Sequence, residues 1–240
     1  DIHMIPVFII NLRANRYDQP YLRVEDIRMA EHAAGTEMAL EFANYEYTLG
    51  EARPDSLVDL LNGMPPGDSA DPDDIMLGSL IMGWQMKYRD AIAILDDTTA
   101  GLSDNYLAAF IRGNHEFAIA EIISSIESQD IYSAEDNSTV TRYYSNALMD
   151  YNRSIELNPD FPYSWFNRAY INSIMDELEP ALEDYSSCIG ISPDLGQAYY
   201  NRGLLNIFLD SLQEGCRDLS QAGELGIEAA YRVIYKFCKE

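Results

Sequence analysis

The chain has 240 residues, of which 47% are hydrophobic, and a formal net charge of −24 at pH 7. This apolar fraction is sufficient for a folded core and argues against disorder over most of the chain. The charge argues against nucleic acid and anionic membrane surfaces as partners, because both would be repelled. It leaves open a solvated acidic surface or an acidic face that binds a basic partner.

The first 71 residues show no repeat, and we expect them to form a small α or α+β region. Residues 4–10 favour a strand or extended arm, and residues 24–34 favour an amphipathic helix. Residues 40–48 alternate with a period of two, which suits a strand or a helix, and residues 54–61 indicate a short helix. Residues 64–74 are rich in proline, glycine and aspartate and predict a linker. No apolar run is long enough to span a membrane, so we expect no membrane insertion.

The last third of the chain has a 34-residue repeat. The segment Tyr-Ser-Trp-Phe-Asn-Arg-Ala-Tyr at 163–170 returns as Gln-Ala-Tyr-Tyr-Asn-Arg-Gly-Leu at 197–204. A fixed period of this length predicts a solenoid, in which each unit buries its apolar face against its neighbours.

Within the unit 162–195, large, small and proline residues stand at positions 4, 8, 20, 24, 27 and 32, namely Trp165, Ala169, Ala181, Tyr185, Cys188 and Pro193. This pattern resembles the tetratricopeptide repeat (TPR) of bacterial proteins. The resemblance implies an all-α, right-handed superhelical solenoid of helix-turn-helix repeats with a C-terminal capping helix. The small residues would let helices A and B of each unit approach closely.

The same period extends in both directions and predicts a TPR solenoid over 72–240. Its units would be 72–105, 106–161, 162–195 and 196–229, followed by a capping helix at 229–238. Gly113 and Ala147 are 34 residues apart where the repeat expects 12, so unit 106–161 has an insertion of about 22 residues near 120–142. We expect the insertion to lengthen helix A through Ile126 and to end in a loop at 129–138. The loop would be a polar tip or a lid on the groove.

The sequence contains no pattern typical of an active site or a metal site. The histidines His3, His32 and His115 are scattered, and the acids at 68–74 lack the order of a calcium loop. We therefore expect no enzyme activity, no metal and no cofactor. Cys188 and Cys216 are expected to be small buried hydrophobes, although a disulfide between two of the three cysteines remains open.

In TPR proteins, helices A line a concave groove. Carrying the family's groove positions onto this chain predicts a partner-binding groove of aromatic, apolar and amide side chains: Phe110, Asn114, Phe117, Tyr163, Phe166, Asn167, Tyr170, Ile174, Gln197, Tyr200, Asn201, Leu204 and Phe208. Arg112, Arg168 and Arg202 recur at position 7, and we expect them to stack on aromatic rings or to pair with Asp or Glu between units. Lysines are absent from the groove positions, which argues against a receptor for chaperone tails.

The resemblance implies a non-enzymatic scaffold that binds a protein or peptide partner in this groove. The alternative is a small-molecule or glycan binding protein whose site lies between the insertion and the groove. An accessory role of residues 1–71 in an enzyme is a third reading. The resemblance favours a bacterial, extracytoplasmic protein over a cytoplasmic one, and because the chain begins with Asp1 we expect a processed or partial form.

Overall fold

The computed structural model describes residues 72–84, 86–96, 102–127 and 137–238. Within these ranges lie nine α-helices: α1 Pro72–Trp84, α2 Tyr88–Leu95, α3 Tyr106–Glu127, α4 Asn137–Leu157, α5 Pro162–Ile174, α6 Leu178–Ile191, α7 Gly196–Phe208, α8 Leu212–Glu224 and α9 Glu228–Phe237. A short 3-10 helix, Leu102–Asp104, precedes α3. The described residues contain no strand, and the predicted all-α class is confirmed. The predictions for residues 1–71 and for the tip of the insertion lie outside the described residues.

Helices α1, α3, α5 and α7 begin at the first residues of the four predicted units. Helix α3 continues to Glu127, so the expectation of a helix A lengthened through Ile126 is confirmed. Its start is fixed by Asn105, whose Oδ1 accepts hydrogen bonds from the backbone N–H groups of Leu107 and Ala108 at 2.9 and 3.1 Å. We propose that each successive helix pair is one repeat unit and that α9 is the cap.

The chain divides into two compact units, and the division falls between Asp150 and Tyr151 in α4. We call their described parts the 72–150 unit and the 151–238 unit and treat each separately. The core of the first includes Met76, Leu95, Leu102, Ala108 and Ile111. The core of the second includes a cluster of residues from α7, α8 and α9, namely Tyr200, Leu219, Ala222, Ala230 and Val233.

Glycines allow α7 and α8 to pack at short range. A Cβ atom added at Gly215 would lie 2.8 Å from the carbonyl oxygen of Gly203, and one at Gly203 would lie 3.0 Å from that of Gly215. The equivalent residues of α5 and α6, Ala169 and Ala181, are fully buried. The predicted role of the small residues is therefore confirmed in both pairs.

In three helix pairs, the turn between the two helices contains a residue with left-handed backbone. Met86, Asp176 and Asp210 have φ angles of 64°, 65° and 60°. Asp176 and Asp210 are one 34-residue period apart, and the interval from Met86 to Asp176 is two periods plus 22 residues. The turn chemistry thus keeps the phase of the repeat across the insertion. The conformation is strained for residues other than glycine, and for methionine more than for aspartate.

Two of the three cysteines form a disulfide. Cys216 of α8 is bonded to Cys238, which directly follows α9, and their Cα atoms are 5.8 Å apart. The expectation that Cys216 is a free buried hydrophobe is therefore wrong, because the end of α9 packs back onto α8 and brings the two thiols together. Cys188 is free and buried, as expected.

Candidate partner-binding face

The predicted groove residues differ widely in their exposure to solvent. In the 72–150 unit Phe110, Asn114 and Phe117 are all buried. In the 151–238 unit five are buried, namely Tyr163, Phe166, Asn167, Tyr200 and Asn201. Three are half-buried, namely Tyr170, Gln197 and Leu204. Ile174 is 40% exposed and Phe208 is 71% exposed, so these two offer the most accessible apolar surface of the predicted set.

The buried asparagines connect successive helix pairs. The side-chain amide of Asn167 donates to the Tyr151 hydroxyl at 3.4 Å, and that of Asn201 donates to the Tyr185 hydroxyl at 3.1 Å. The partners are 16 residues apart in both cases, so the same contact recurs with the repeat. Tyr185 also packs edge-on against Phe166, with ring centroids 5.4 Å apart. These amides and rings set the stacking of the helices that present the exposed residues.

A ladder of arginine–aspartate pairs fixes each helix A to its helix B. Arg168 donates to both carboxylate oxygens of Asp184 at 2.8 and 2.6 Å. Arg202 does the same to Asp218 at 2.8 and 2.7 Å. Such two-point pairing holds the guanidinium in one plane and one orientation.

The third guanidinium nitrogen extends the ladder to the preceding helix. In Arg168 this nitrogen donates to Asn152 Oδ1 at 2.6 Å, and in Arg202 it donates to Ser186 Oγ at 3.0 Å. The guanidinium of Arg168 also lies 4.9 Å from the centroid of the Trp165 ring. The expected stacking of Arg168 and Arg202 on aromatic rings is confirmed. Their pairing with acids differs from the expectation, because each pair lies within one predicted unit and not between units.

The 72–150 unit has the same ladder with a longer spacing. Arg112 binds Asp150 through Nε at 2.9 Å and through a second nitrogen, and it reaches Asp96 at 2.7 Å. Arg112 and Asp150 are 38 residues apart, where the pairs of the other unit are 16 apart. The difference is 22 residues, the length of the predicted insertion, and we propose that the insertion lies between the two members of this recurring contact.

One residue of the ladder differs in charge. Asn172 and Asn206 each donate to the aspartate of their own pair, at 3.3 and 3.2 Å. Glu116 occupies the equivalent position in α3 and is 8% exposed. Its Oε1 accepts a hydrogen bond from Asn146 at 3.3 Å, whereas its Oε2 is buried and has no hydrogen-bond partner among the described residues. Burial raises the pKa of Glu116, and the negative charge of Asp150 raises it further.

His115 is the buried titratable group next to Glu116 in α3. Ser79 Oγ donates its single hydrogen to the Ala91 carbonyl at 2.8 Å, so it accepts the hydrogen bond from His115 Nε2 at 3.0 Å. Burial lowers the pKa of His115 to about 4, and the imidazole is neutral at pH 7. Gly83 makes room for the ring, since a Cβ there would lie 2.3 Å from its Cε1. His115 is thus a packed residue of the core.

The exposed apolar residues continue into the turns between helices A and B. We define the turn edge as seven exposed residues at the ends of α5 and α7, in the turns after them and in the first turn of α8: Ile174, Asp176, Glu177, Phe208, Asp210, Leu212 and Glu214. The family's groove positions include only Ile174 and Phe208 of this set. The pair Ile174 and Asp176 recurs 34 residues later as Phe208 and Asp210. This recurrence is the sequence signal for the aspartates of the turn edge, both of which have left-handed backbone.

The described residues offer neither a cluster of metal ligands nor a membrane-spanning helix. Within the described ranges, no three histidine, cysteine, aspartate or glutamate side chains converge as metal ligands. None of the described helices has the length and apolarity needed to cross a membrane.

Known proteins resemble the chain in one repeat and in fold. The family model of the tetratricopeptide repeat matches residues 150–183. The crystal structure of MamA is 19% identical, with a TM-score of 0.56 over 78% of this chain and 95% of that chain. MamA 41-end from Desulfovibrio magneticus RS-1 is 14% identical, with a TM-score of 0.53 over 79% and 96% of the two chains. A thermophilic TPR protein of Thermus thermophilus is 17% identical, with a TM-score of 0.60 over 82% and 95% of the two chains.

No curated protein sequence matches the chain. At the identities of the solved structures, the likeness establishes the fold and no partner. The matched repeat and the shared fold establish that the chain contains a tetratricopeptide repeat and has the all-α fold of TPR solenoids.

Proposed function

We propose that the chain is a scaffold that holds a protein or peptide partner against the face presented by α5 and α7. The observation behind this proposal is the exposure of Ile174 and Phe208 at the same position of successive helix pairs. Phe208 is 71% exposed, although phenylalanine is among the residues that gain most from burial. Exposed aromatic side chains on a rigid frame are typical anchors of protein interfaces.

The frame behind these side chains is held in one conformation. The arginine–aspartate pairs of α5 with α6 and of α7 with α8 join the helices at two points each. The asparagine–tyrosine contacts fix the next helix pair against the last. Because little order must be gained on binding, the free energy of contact is available for affinity.

Gln197 supplies a polar contact on the same face. Its side-chain oxygen Oε1 is buried and has no hydrogen-bond donor among the described residues. Rotation of the half-buried side chain would present this oxygen to a peptide N–H of a bound segment, which is the type of donor that it lacks. Leu204, half-buried on the same helix, would contact the neighbouring side chain of the segment.

The test is a pull-down from the source organism with wild type, Phe208→Ser and Tyr235→Ser. Tyr235 of α9 is also 71% exposed, so the control removes an equal fraction of aromatic surface elsewhere. Circular dichroism must show that all three proteins are folded. A partner retained by wild type and Tyr235→Ser but lost by Phe208→Ser supports the proposal. Retention by Phe208→Ser contradicts it.

A further inference from the structure

We propose that the turn edge selects a cationic amphipathic segment, one that has lysine or arginine beside apolar side chains. This inference rests on the proposed function and names the class of its partner. The edge combines three exposed apolar side chains, Ile174, Phe208 and Leu212, with exposed carboxylates in the same two turns. A segment that fits it needs both an apolar stripe and positive charges.

The carboxylates of the edge form no ion pair within the part of the chain that the structure describes. Asp176, Glu177, Asp210 and Glu214 are exposed, and none forms an ion pair with a described residue. This contrasts with the buried aspartates of the ladder, Asp184 and Asp218, which are saturated by arginine and asparagine donors. The charges of the edge therefore remain available to a partner.

Cations that would neutralise the edge are also scarce in the surrounding sequence. Residues 168–217 contain eight acidic residues and three basic residues: Arg168 and Arg202, which are bound in the ladder, and Arg217, which is exposed in α8. The local field of the edge thus has the same sign as the net charge of −24, which attracts a basic segment over a distance and repels an acidic one.

The spacing of the helices gives the edge two equivalent subsites. Ile174 with Asp176 ends α5, and Phe208 with Asp210 ends α7, one period later. Packed helices lie about 8–10 Å apart, and alternate helices of the stack lie somewhat farther. A helical or extended segment can therefore place one apolar and one basic side chain at each end, which is the pattern of an amphipathic segment.

The test measures fluorescence anisotropy of a labelled synthetic helix made of leucine and lysine. Matched peptides replace lysine by glutamate or leucine by serine. Asp176→Asn/Asp210→Asn removes two charges of the edge and retains a residue that tolerates the left-handed backbone. Glu183→Gln/Glu224→Gln removes two exposed charges outside the edge and serves as the control for net charge.

We expect the leucine–lysine peptide to bind at about 0.15 M salt and the other two peptides to bind far more weakly. The edge variant should weaken binding about threefold to tenfold, and the control by less than about twofold. Phe208→Ser should weaken it about tenfold or more. Equal effects of the edge variant and the control would overturn the proposal, because they would show a general attraction of charges. Equal binding of the glutamate peptide, or no binding of the lysine peptide, would also overturn it.

The pull-down separates this inference from the proposed function. If Phe208→Ser loses a natural partner while the lysine peptide does not bind wild type, the scaffold stands and the cationic class is wrong. If the partner is retained by Phe208→Ser, both are contradicted.

Discussion

Replacing Glu116 by glutamine should stabilise the protein. The substitution keeps the shape of the side chain and replaces the unpartnered oxygen Oε2 by an amide donor. That donor would occupy the place from which Asn172 and Asn206 donate to Asp184 and Asp218. A buried polar atom without a partner costs about 1–3 kcal/mol, and the substitution also removes the repulsion between two carboxylates. We expect the free energy of unfolding to rise by about 1–2 kcal/mol at pH 8.

The gain should depend on pH in one direction. The raised pKa of Glu116 means that the folded state binds its proton more tightly than the unfolded state. The free energy of unfolding of wild type therefore falls as the pH rises from the ordinary glutamate pKa, about 4.3, to the raised pKa of the folded state. Above that pKa, the loss through Glu116 is constant. Glutamine does not titrate, so the advantage of Glu116→Gln should disappear toward pH 4.

The assay is urea unfolding followed by circular dichroism at several pH values, with native-state hydrogen exchange of α3 as a local probe. The reciprocal control is Asn206→Asp, which places a second carboxylate against Asp218 and should lower stability by about 1–3 kcal/mol at pH 8. If Glu116→Gln is no more stable than wild type, or is stabilised equally at pH 4 and pH 8, the buried Glu116 carboxylate does not destabilise the fold.

Three further predictions concern stability. Because the pKa of His115 falls from 6.5 to about 4 on folding, acidification from pH 7 to pH 5 should cost wild type about 2 kcal/mol through this group. This cost should persist in Ser79→Ala and be absent in His115→Gln, as measured by urea unfolding. Met86→Gly should raise the free energy of unfolding by about 0.5–1 kcal/mol and Met86→Ala should not, because only glycine relieves the left-handed backbone. Reducing the Cys216–Cys238 disulfide, which closes a loop with a sequence separation of 22, should lower stability by about 3 kcal/mol.

Each of these has a distinct contrary result. A pH profile of His115→Gln that parallels wild type would show that the imidazole is protonated without cost. Equal stabilities of Met86→Gly and Met86→Ala would show that the left-handed backbone at Met86 does not lower the stability of wild type. A melting temperature unchanged by dithiothreitol, and by Cys216→Ser, would mean that the cross-link leaves the unfolded ensemble unrestricted.

The spacing of residues predicts the positions at which α1, α3, α5 and α7 begin. The interval from Gly113 to Ala147 gave 22 extra residues, and the contact of Arg112 with Asp150 has the same excess over its two counterparts. A period reports which residues occupy equivalent places, and equivalent places make equivalent contacts. For the same reason, the arginines at position 7 were predicted to pair with acids, although their partners lie within one unit and not between units.

The solvent exposure of each predicted groove residue does not follow from its position in the repeat. Helical position gives the direction in which a side chain points, whereas its exposure depends on what the neighbouring helix places opposite it. Asn167 and Asn201 meet the hydroxyls of Tyr151 and Tyr185, and this contact makes them internal connectors. The pairing of Cys216 with Cys238 likewise depends on the path of the chain after α9, which no spacing rule specifies.

The proposed function requires that a partner contacts the face of α5 and α7 that bears Ile174 and Phe208. Its most direct test places a photo-crosslinking amino acid at position 208 in cells of the source organism, with position 235 as the control of equal exposure. We predict a protein adduct that forms from position 208 on irradiation and is absent from position 235. An adduct from position 235 with none from position 208 would contradict the claim and move the binding surface to the last helix.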